Sequence, residues 1–253
     1  MLQNERLENI LCYLRINKFA TVDELSQQMD VSTMTIRRDL NSLCEKGYIE
    51  RCHGGAQMPQ KLAPETDYSV KKERNQEEKR RIAKRALAFI GENDTVYLDS
   101  GTTTFELAKL LCTFPKPVSV VTNDLNIALL LADSPVDVTV TGGNVQKKTQ
   151  SIMGRASEEF LKQFRFSRAF LGGTSVDYDF NLFSPSYEKA FLKKMILELS
   201  AQSYLLVDSS KFFSQSMCLV TGFDRFTGVV TDRKFSEEEQ KKLKELGAKV
   251  IIV

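Results

Sequence analysis

Tryptophan is absent from the chain, and histidine occurs once, at His53. A lone histidine with only Cys52 beside it gives no cluster of metal-ligand residues, so no metal site is expected. The five cysteines (Cys12, Cys44, Cys52, Cys112 and Cys218) are odd in number, scattered and free of any Cys-x-x-Cys pair. They read as the reduced thiols of a cytoplasmic protein, not as a disulfide framework. No apolar run approaches the roughly 20 residues of a membrane-spanning helix. The first residues, Met1 to Arg6, lead straight into a charged amphipathic segment, so neither a secretory signal nor a membrane partner is expected.

Other absences narrow the chemistry. No G-x-G-x-x-G follows a strand and no G-x-x-x-x-G-K-[ST] occurs, which argues against a nucleotide; no cofactor is expected. No G-x-S-x-G elbow is present, and no histidine lies beyond residue 53. An acid–base enzyme would have to rest on Asp99, Glu188, Asp208 and Lys211; this is the weaker reading, and no catalytic residue is assigned. Net charge is also missing as a signal. Thirty-five Lys and Arg stand against 33 Asp and Glu, a net +2, so any case for nucleic acid must rest on where the cations lie.

Two regimes are present. Residues 1–58 read as short amphipathic helices with a basic, Gly-containing end. Residues 76–253 alternate apolar strand-like runs with helical patterns, as in an open α/β domain. Between them, 59–75 holds the polar stretch Pro59 to Thr66 and reads as a linker. The charged run Lys71 to Arg85 begins a helix and reads as a solvated face.

In the first regime Leu7, Ile10, Leu11 and Leu14 form one helical stripe. Thr21 and Glu24 have capping-box spacing and open a second helix carrying Val22, Leu25 and Met29. After a turn at Asp30-Val31, Ser32 caps a third helix with Ile36, Leu40 and Leu43 inward, and Gly47 stops it. The opposite face shows Thr33, Thr35, Arg37, Arg38 and Asn41. With Ser32, these suit phosphates and base edges in a major groove. The plain alternative is a small helical domain in which Arg37 pairs with a neighbour such as Asp39. Tyr48 to Arg51 then reads as a strand and Cys52 to Ala56 as a turn, together a wing whose Arg51 and His53 reach DNA.

In the second regime the strand Thr95 to Leu98 runs into Asp99-Ser100-Gly101-Thr102-Thr103-Thr104 and then a helix. A hydroxyl-rich turn at a helix start suits a phosphate; Asp99 suits sugar hydroxyls. The alternative is that these residues only cap the helix. Further strands end in Thr122-Asn123, Thr141-Gly142-Gly143, Gly172-Gly173-Thr174, Asp208-Ser209-Ser210-Lys211 and Thr231-Asp232. In parallel sheets, ligands bind at such ends.

The series Arg6-x3-Ile10-x3-Leu14, then seventeen residues, then Ser32-x2-Thr35-Ile36-Arg37-Arg38-Asp39-Leu40 resembles the helix-turn-helix signature of DeoR-type regulators. His53-Gly54-Gly55-Ala56 is similar to their wing. Leu98 to Thr103, Thr122-Asn123, Gly142-Gly143 and Asp208 to Lys211 resemble their sensor domain, whose fold is similar to ribose phosphate isomerase.

The resemblance implies double-stranded operator DNA as one partner and a phosphorylated sugar as the other. It implies phosphate at Ser100 to Thr104, sugar contacts from Asp99, Thr122, Asn123 and Lys211, and a pocket wall at Gly142 and Gly143. At Glu188, Lys193 and Lys194 it is loose, and an exposed basic face is expected. The loop Asp179 to Leu182 lacks a glycine that the resemblance leads one to expect. The expected protein represses a sugar-uptake or catabolic operon, as a homodimer or homotetramer.

Overall fold

The computed structural model describes residues 3–45, 48–58 and 62–253, without the side chains of Asn4 and Arg15. Gly47, expected as a helix stop, and Pro59 to Lys61 of the expected linker lie outside the described residues. The chain divides into two units, Met1–Leu62 and Ala63–Val253.

The first unit runs α1 (Gln3–Asn17), β1 (Phe19–Thr21), α2 (Val22–Met29), α3 (Thr33–Glu45), β2 (Glu50–Cys52) and β3 (Gly55–Gln57). The expected apolar stripes meet in one core: Ile10, Leu14, Leu25, Ile36 and Leu40 are fully buried. Thr21 and Glu24 form the capping box at the start of α2, a device worth about 1 kcal/mol. Asp30 takes the left-handed conformation that ends α2. Strand β1 was not expected; it pairs with β3, giving the antiparallel order β1-β3-β2. A Cβ on Gly55 would lie 2.1 Å from the Ala20 carbonyl oxygen, so this close pairing needs glycine. The wing turn is His53-Gly54, shorter than the Cys52 to Ala56 turn expected.

The second unit opens with α4 (Tyr68–Glu73), α5 (Gln76–Leu87), β4 (Thr95–Leu98), α6 (Thr102–Leu111), β5 (Ser119–Thr122), α7 (Leu125–Ala132) and β6 (Asp137–Val140). It continues with β7 (Asn144–Gln146), β8 (Ser151–Met153), α8 (Arg155–Leu161), β9 (Phe166–Gly172), β10 (Ser175–Val176), β11 (Asn181–Ser184) and α9 (Tyr187–Leu199). Last come β12 (Ser200–Leu206), β13 (Cys218–Gly222), β14 (Gly228–Thr231), α10 (Glu237–Glu245) and β15 (Val250–Ile252).

Seven strands form one parallel sheet in the order β15-β14-β12-β9-β4-β5-β6. Separate apolar clusters pack around it, one with Tyr97, Leu171 and Leu205, the other with Val96, Leu98 and Leu206. Alternate residues of the same strands serve the two clusters, which is why these strands read as apolar runs. From β4 the chain winds through β5 to β6; from β9 it winds the other way through β12 to β15. The strand order therefore reverses between β4 and β9, and a crevice is expected at their carboxyl ends.

Two sequence readings change here. From Ala63 onward, the residues read as linker pack within the second unit: the Ala63 amide donates to the Gln215 carbonyl at 2.7 Å and Tyr68 is buried. The charged run read as a solvated face is broken at Asn75, whose φ is 50°, and Lys79 is buried. The loop without its expected glycine is turned by Asp177, whose Oδ1 accepts from the amides of Asp179 and Asn181 while Phe180 takes a φ of 57°.

Candidate functional site

In the first unit the exposed side of α3 is set by what its inward side does. Asp39 is fully buried and accepts from Arg6 Nε at 2.5 Å. The anticipated alternative, Arg37 paired with Asp39, is therefore not what forms. Arg37 and Arg38 are exposed, and neither has a side-chain partner among the described residues. Thr33 and Asn41 are exposed beside them. Ser32 Oγ accepts from the Thr35 amide at 3.2 Å and lies 3.0 Å from the Thr35 hydroxyl, so this pair fixes the start of α3 while staying near the surface. Arg51 and His53 are exposed on the wing. Met34, passed over in the sequence, is 72% exposed at the start of α3. Its thioether end suits the apolar contact that a thymine methyl offers.

In the second unit the strand reversal carries a buried charge pair. Asp99, at the end of β4, accepts through Oδ2 from the ammonium of Lys193 and from the Gly172 amide at 3.0 Å. Lys193 also donates to the Gly172 carbonyl at 2.9 Å. This corrects the expectation of an exposed basic face: Lys193 and Lys189 are buried, whereas Glu188 and Lys194 are exposed. The signal was available, because Lys189 and Lys193 share the buried stripe of α9 with Leu192 and Ile196. Asp99 Oδ1 takes no partner among the described residues and remains an acceptor for a hydroxyl.

The turn after Asp99 is partly occupied by the chain itself. The Ser100 amide donates to Asn123 Oδ1 at 3.1 Å, and the Gly101 amide donates to Asp124 Oδ2 at 3.2 Å. Thr104 is fully buried and donates to the Asp99 and Gly101 carbonyls. Thr102 and Thr103 hydroxyls have no partner among the described residues, and the first amides of α6 have none within the helix. They are what the turn offers an anion. Asp124 was not foreseen. Burial pushes its carboxyl up to about 6, against the pull of the Ile127, Asn126 and Gly101 amides.

Thr122 and Asn123 are fully buried. Thr122 donates to the Leu98 carbonyl, and Asn123 ties Tyr97 Oη, the Ser100 amide and the Ile152 carbonyl together. The hydrogen bonds of both are made within the protein and hold the turn after Asp99. Gly142 and Gly143 are exposed. Gly143 has φ 140°, and a Cβ there would lie 2.6 Å from the Met153 carbonyl oxygen, so packing alone accounts for it. Lys211 lies in a separate cluster: its Nζ is 4.0 Å from Asp208 Oδ2, while Asp208 Oδ1 accepts from Asn75.

Residues 6–61 match the DeoR-like helix-turn-helix domain, and residues 74–233 match the DeoR C terminal sensor domain. The chain belongs to the DeoR family of transcriptional regulators. As a DeoR-family protein it is a DNA-binding regulator and not an enzyme. It is similar to the L-fucose operon activator of Haemophilus influenzae, 34% identical over 94% of this chain and 95% of that one. It is also similar to the glycerol-3-phosphate regulon repressor of Escherichia coli, 33% identical over 92% of each. Among solved structures, ribose 5-phosphate isomerase A of Methanocaldococcus jannaschii aligns with a TM-score of 0.41 and 15% identity over 55% of each chain. The α/β fold of the second unit rests on its own seven-stranded parallel sheet.

Proposed function

We propose that the chain binds operator DNA through α3 and the wing and represses a sugar-uptake or catabolic operon under the control of a phosphorylated sugar. The observation that carries the proposal is the buried Asp99–Lys193–Gly172 cluster at the point where the strand order reverses. A buried ion pair adds little to stability against an apolar alternative, yet this is where a parallel sheet recognises ligands. Asp99 Oδ1 would take a sugar hydroxyl, while Thr102 and Thr103 would take the phosphate at the start of α6. Ser100, Gly101 and Thr104 would shape that turn, Thr122 and Asn123 would hold it in place, and Gly142 and Gly143 would line the approach. Lys211 would act, through Asp208, at the edge of the site.

On DNA, Ser32, Thr33, Thr35 and Asn41 would bond backbone or bases. Arg37 and Arg38 would reach base edges, and Arg51 and His53 would follow the minor groove. A homodimer or homotetramer in the cytoplasm would present paired modules to repeated half-sites. The named relatives support a sugar or a small phosphorylated polyol as the effector class, through L-fucose in one name and glycerol 3-phosphate in the other. One is an activator, so the direction of control needs its own test. Transcription from the chain's own promoter region, with and without the regulator and phosphosugars, tests it: repression relieved or imposed by a phosphosugar supports the proposal, and activation contradicts the repressor part.

A further inference from the structure

The second unit has one surface that is apolar on the side turned to water. Val220 of β13 is buried and Cys218 packs against the core, while Leu219 between them is 50% exposed. Met217, directly before the strand, is 62% exposed. A sheet with one side in water normally turns polar residues outward, whereas β13 is apolar on both sides. Phe183 of β11 stands opposite Leu219 in the register and is half-buried. From Phe212 to Phe223 no residue carries a charge.

The start of α9 continues this surface. Ser184 pairs with Cys218, so the chain leaves the sheet beside Met217 and enters α9 at Tyr187, three residues later. Helix α9 packs along β13. Tyr187 is 70% exposed and Phe191, one turn on, 36%. Their rings stack with centroids 6.2 Å apart. Tyr187, Phe191, Met217 and Leu219 together expose roughly 500 Å² of side chain, on the scale of two to three whole aromatic side chains. That is within the range of the largest apolar patch on a typical chain, which is often a contact site. Glu188 and Lys194, three residues to either side of Phe191, are exposed and opposite in charge.

We propose that this surface is where two copies of the chain meet, in a two-fold contact in which Tyr187, Phe191, Met217 and Leu219 of each copy cover those of the other. Across a two-fold axis the same patch is buried on both copies. Roughly 1,000 Å² of apolar surface then leaves water, the size at which a specific interface begins, before any polar rim is counted. The uncharged run 212–223 has the depletion of charge that marks the core of an interface. A rim of one sign would repel its own copy; Glu188 and Lys194 give this rim both signs. The proposal rests on the homo-oligomer reading above and names the surface that makes the oligomer. It uses no residue of α3 or the wing, so paired half-sites can still be read by both copies.

Sedimentation equilibrium of the full chain, wild type against the double variant Tyr187→Glu/Met217→Glu, tests this, with peroxide oxidation of the wild type beside it. The wild type is expected to sediment as a dimer or tetramer and the variant at half that mass. Both positions are more than half exposed, and a glutamate suits the first turn of α9, so the variant is expected to fold. In the oligomeric wild type, peroxide should oxidise Met217 several-fold more slowly than the comparably exposed Met34 of α3. A folded variant that keeps the full mass overturns the proposal and leaves the oligomer reading intact. Met217 oxidised as fast as Met34 in the oligomer also overturns it, and decides the matter if the variant fails to fold. A monomeric wild type removes both the surface and the oligomer; if Met217 is protected there, its own chain covers it.

Discussion

Arg6 of α1 donates to Asp39 of α3 at 2.5 Å, and Asp39 is fully buried. This pair fixes which way α3 faces. With Asp39 engaged inward, the neighbouring Arg37 and Arg38 have no acid to retire to. Asp39→Asn is expected to destabilise the first unit by about 2–3 kcal/mol, the range for hydrogen bonds to charged groups. Chemical unfolding of the full chain, followed by a probe in the first unit, measures it. A variant as stable as the wild type contradicts the role given to the pair.

Arg37→Ala and Arg38→Ala should behave in the opposite way. Each is expected to weaken operator binding by about 1–3 kcal/mol if it reads a base edge. Stability should stay within about 0.5 kcal/mol, as for exposed positions generally. Met34→Ala should lower affinity only at sites with a thymine opposite it. Titrations on operator and scrambled DNA at fixed salt separate base reading from phosphate contact.

Asp99 and Lys193 are expected to act as one unit. Lys193→Met leaves a buried carboxylate unpaired, which costs about 3–5 kcal/mol. The double variant Asp99→Asn/Lys193→Met should recover much of that stability yet remain deaf to phosphosugars in DNA binding. Recovery of the ligand response together with stability would assign the pair to the fold alone.

Asp124 gives a pH dependence with a defined sign. Its carboxyl is raised to about 6 in the fold, against about 3.9 unfolded. The folded state therefore takes up the proton first. The stabilisation is complete below about pH 4 and is lost as pH rises through 6; two units correspond to roughly 3 kcal/mol at most. Neutralising Asp124 also removes a negative charge beside the Gly101 amide. Anion binding at the turn should strengthen as pH falls through 6, and Asp124→Asn should flatten that rise. Sulfate is the suitable probe, because a phosphate monoester itself titrates near pH 6. Sulfate affinity with the same pH profile in both proteins would contradict this.

The helices of the first unit were legible because their apolar periodicity and caps agree: Ile36, Leu40 and Leu43 are buried as their spacing requires. Strand β1 was not, since three residues carry no period and Thr21 had already been claimed as a cap. The parallel strands were legible as apolar runs ending in polar turns. The charged part of the site was not. Lysines are read as exposed by habit, yet Lys189 and Lys193 sit at buried positions of α9 because Glu65 and Asp99, 124 and 94 residues away, meet them there. Such pairing is a property of the sheet's winding, and no local window shows it. The segment 63–75 reads as linker for the same reason: Pro64 and the polar residues around it are a local signal, and its packing partners are distant in sequence.

In the function proposed here, a phosphorylated sugar at the ends of β4 and β9 controls DNA binding. A mobility-shift titration of the full chain on its own promoter DNA, at fixed salt, with a panel of sugar phosphates and their unphosphorylated parents, tests it most directly. The expected result is a sequence-specific complex whose affinity shifts with one phosphosugar and not with its parent sugar. A specific complex that no phosphosugar alters, in either direction, would contradict it.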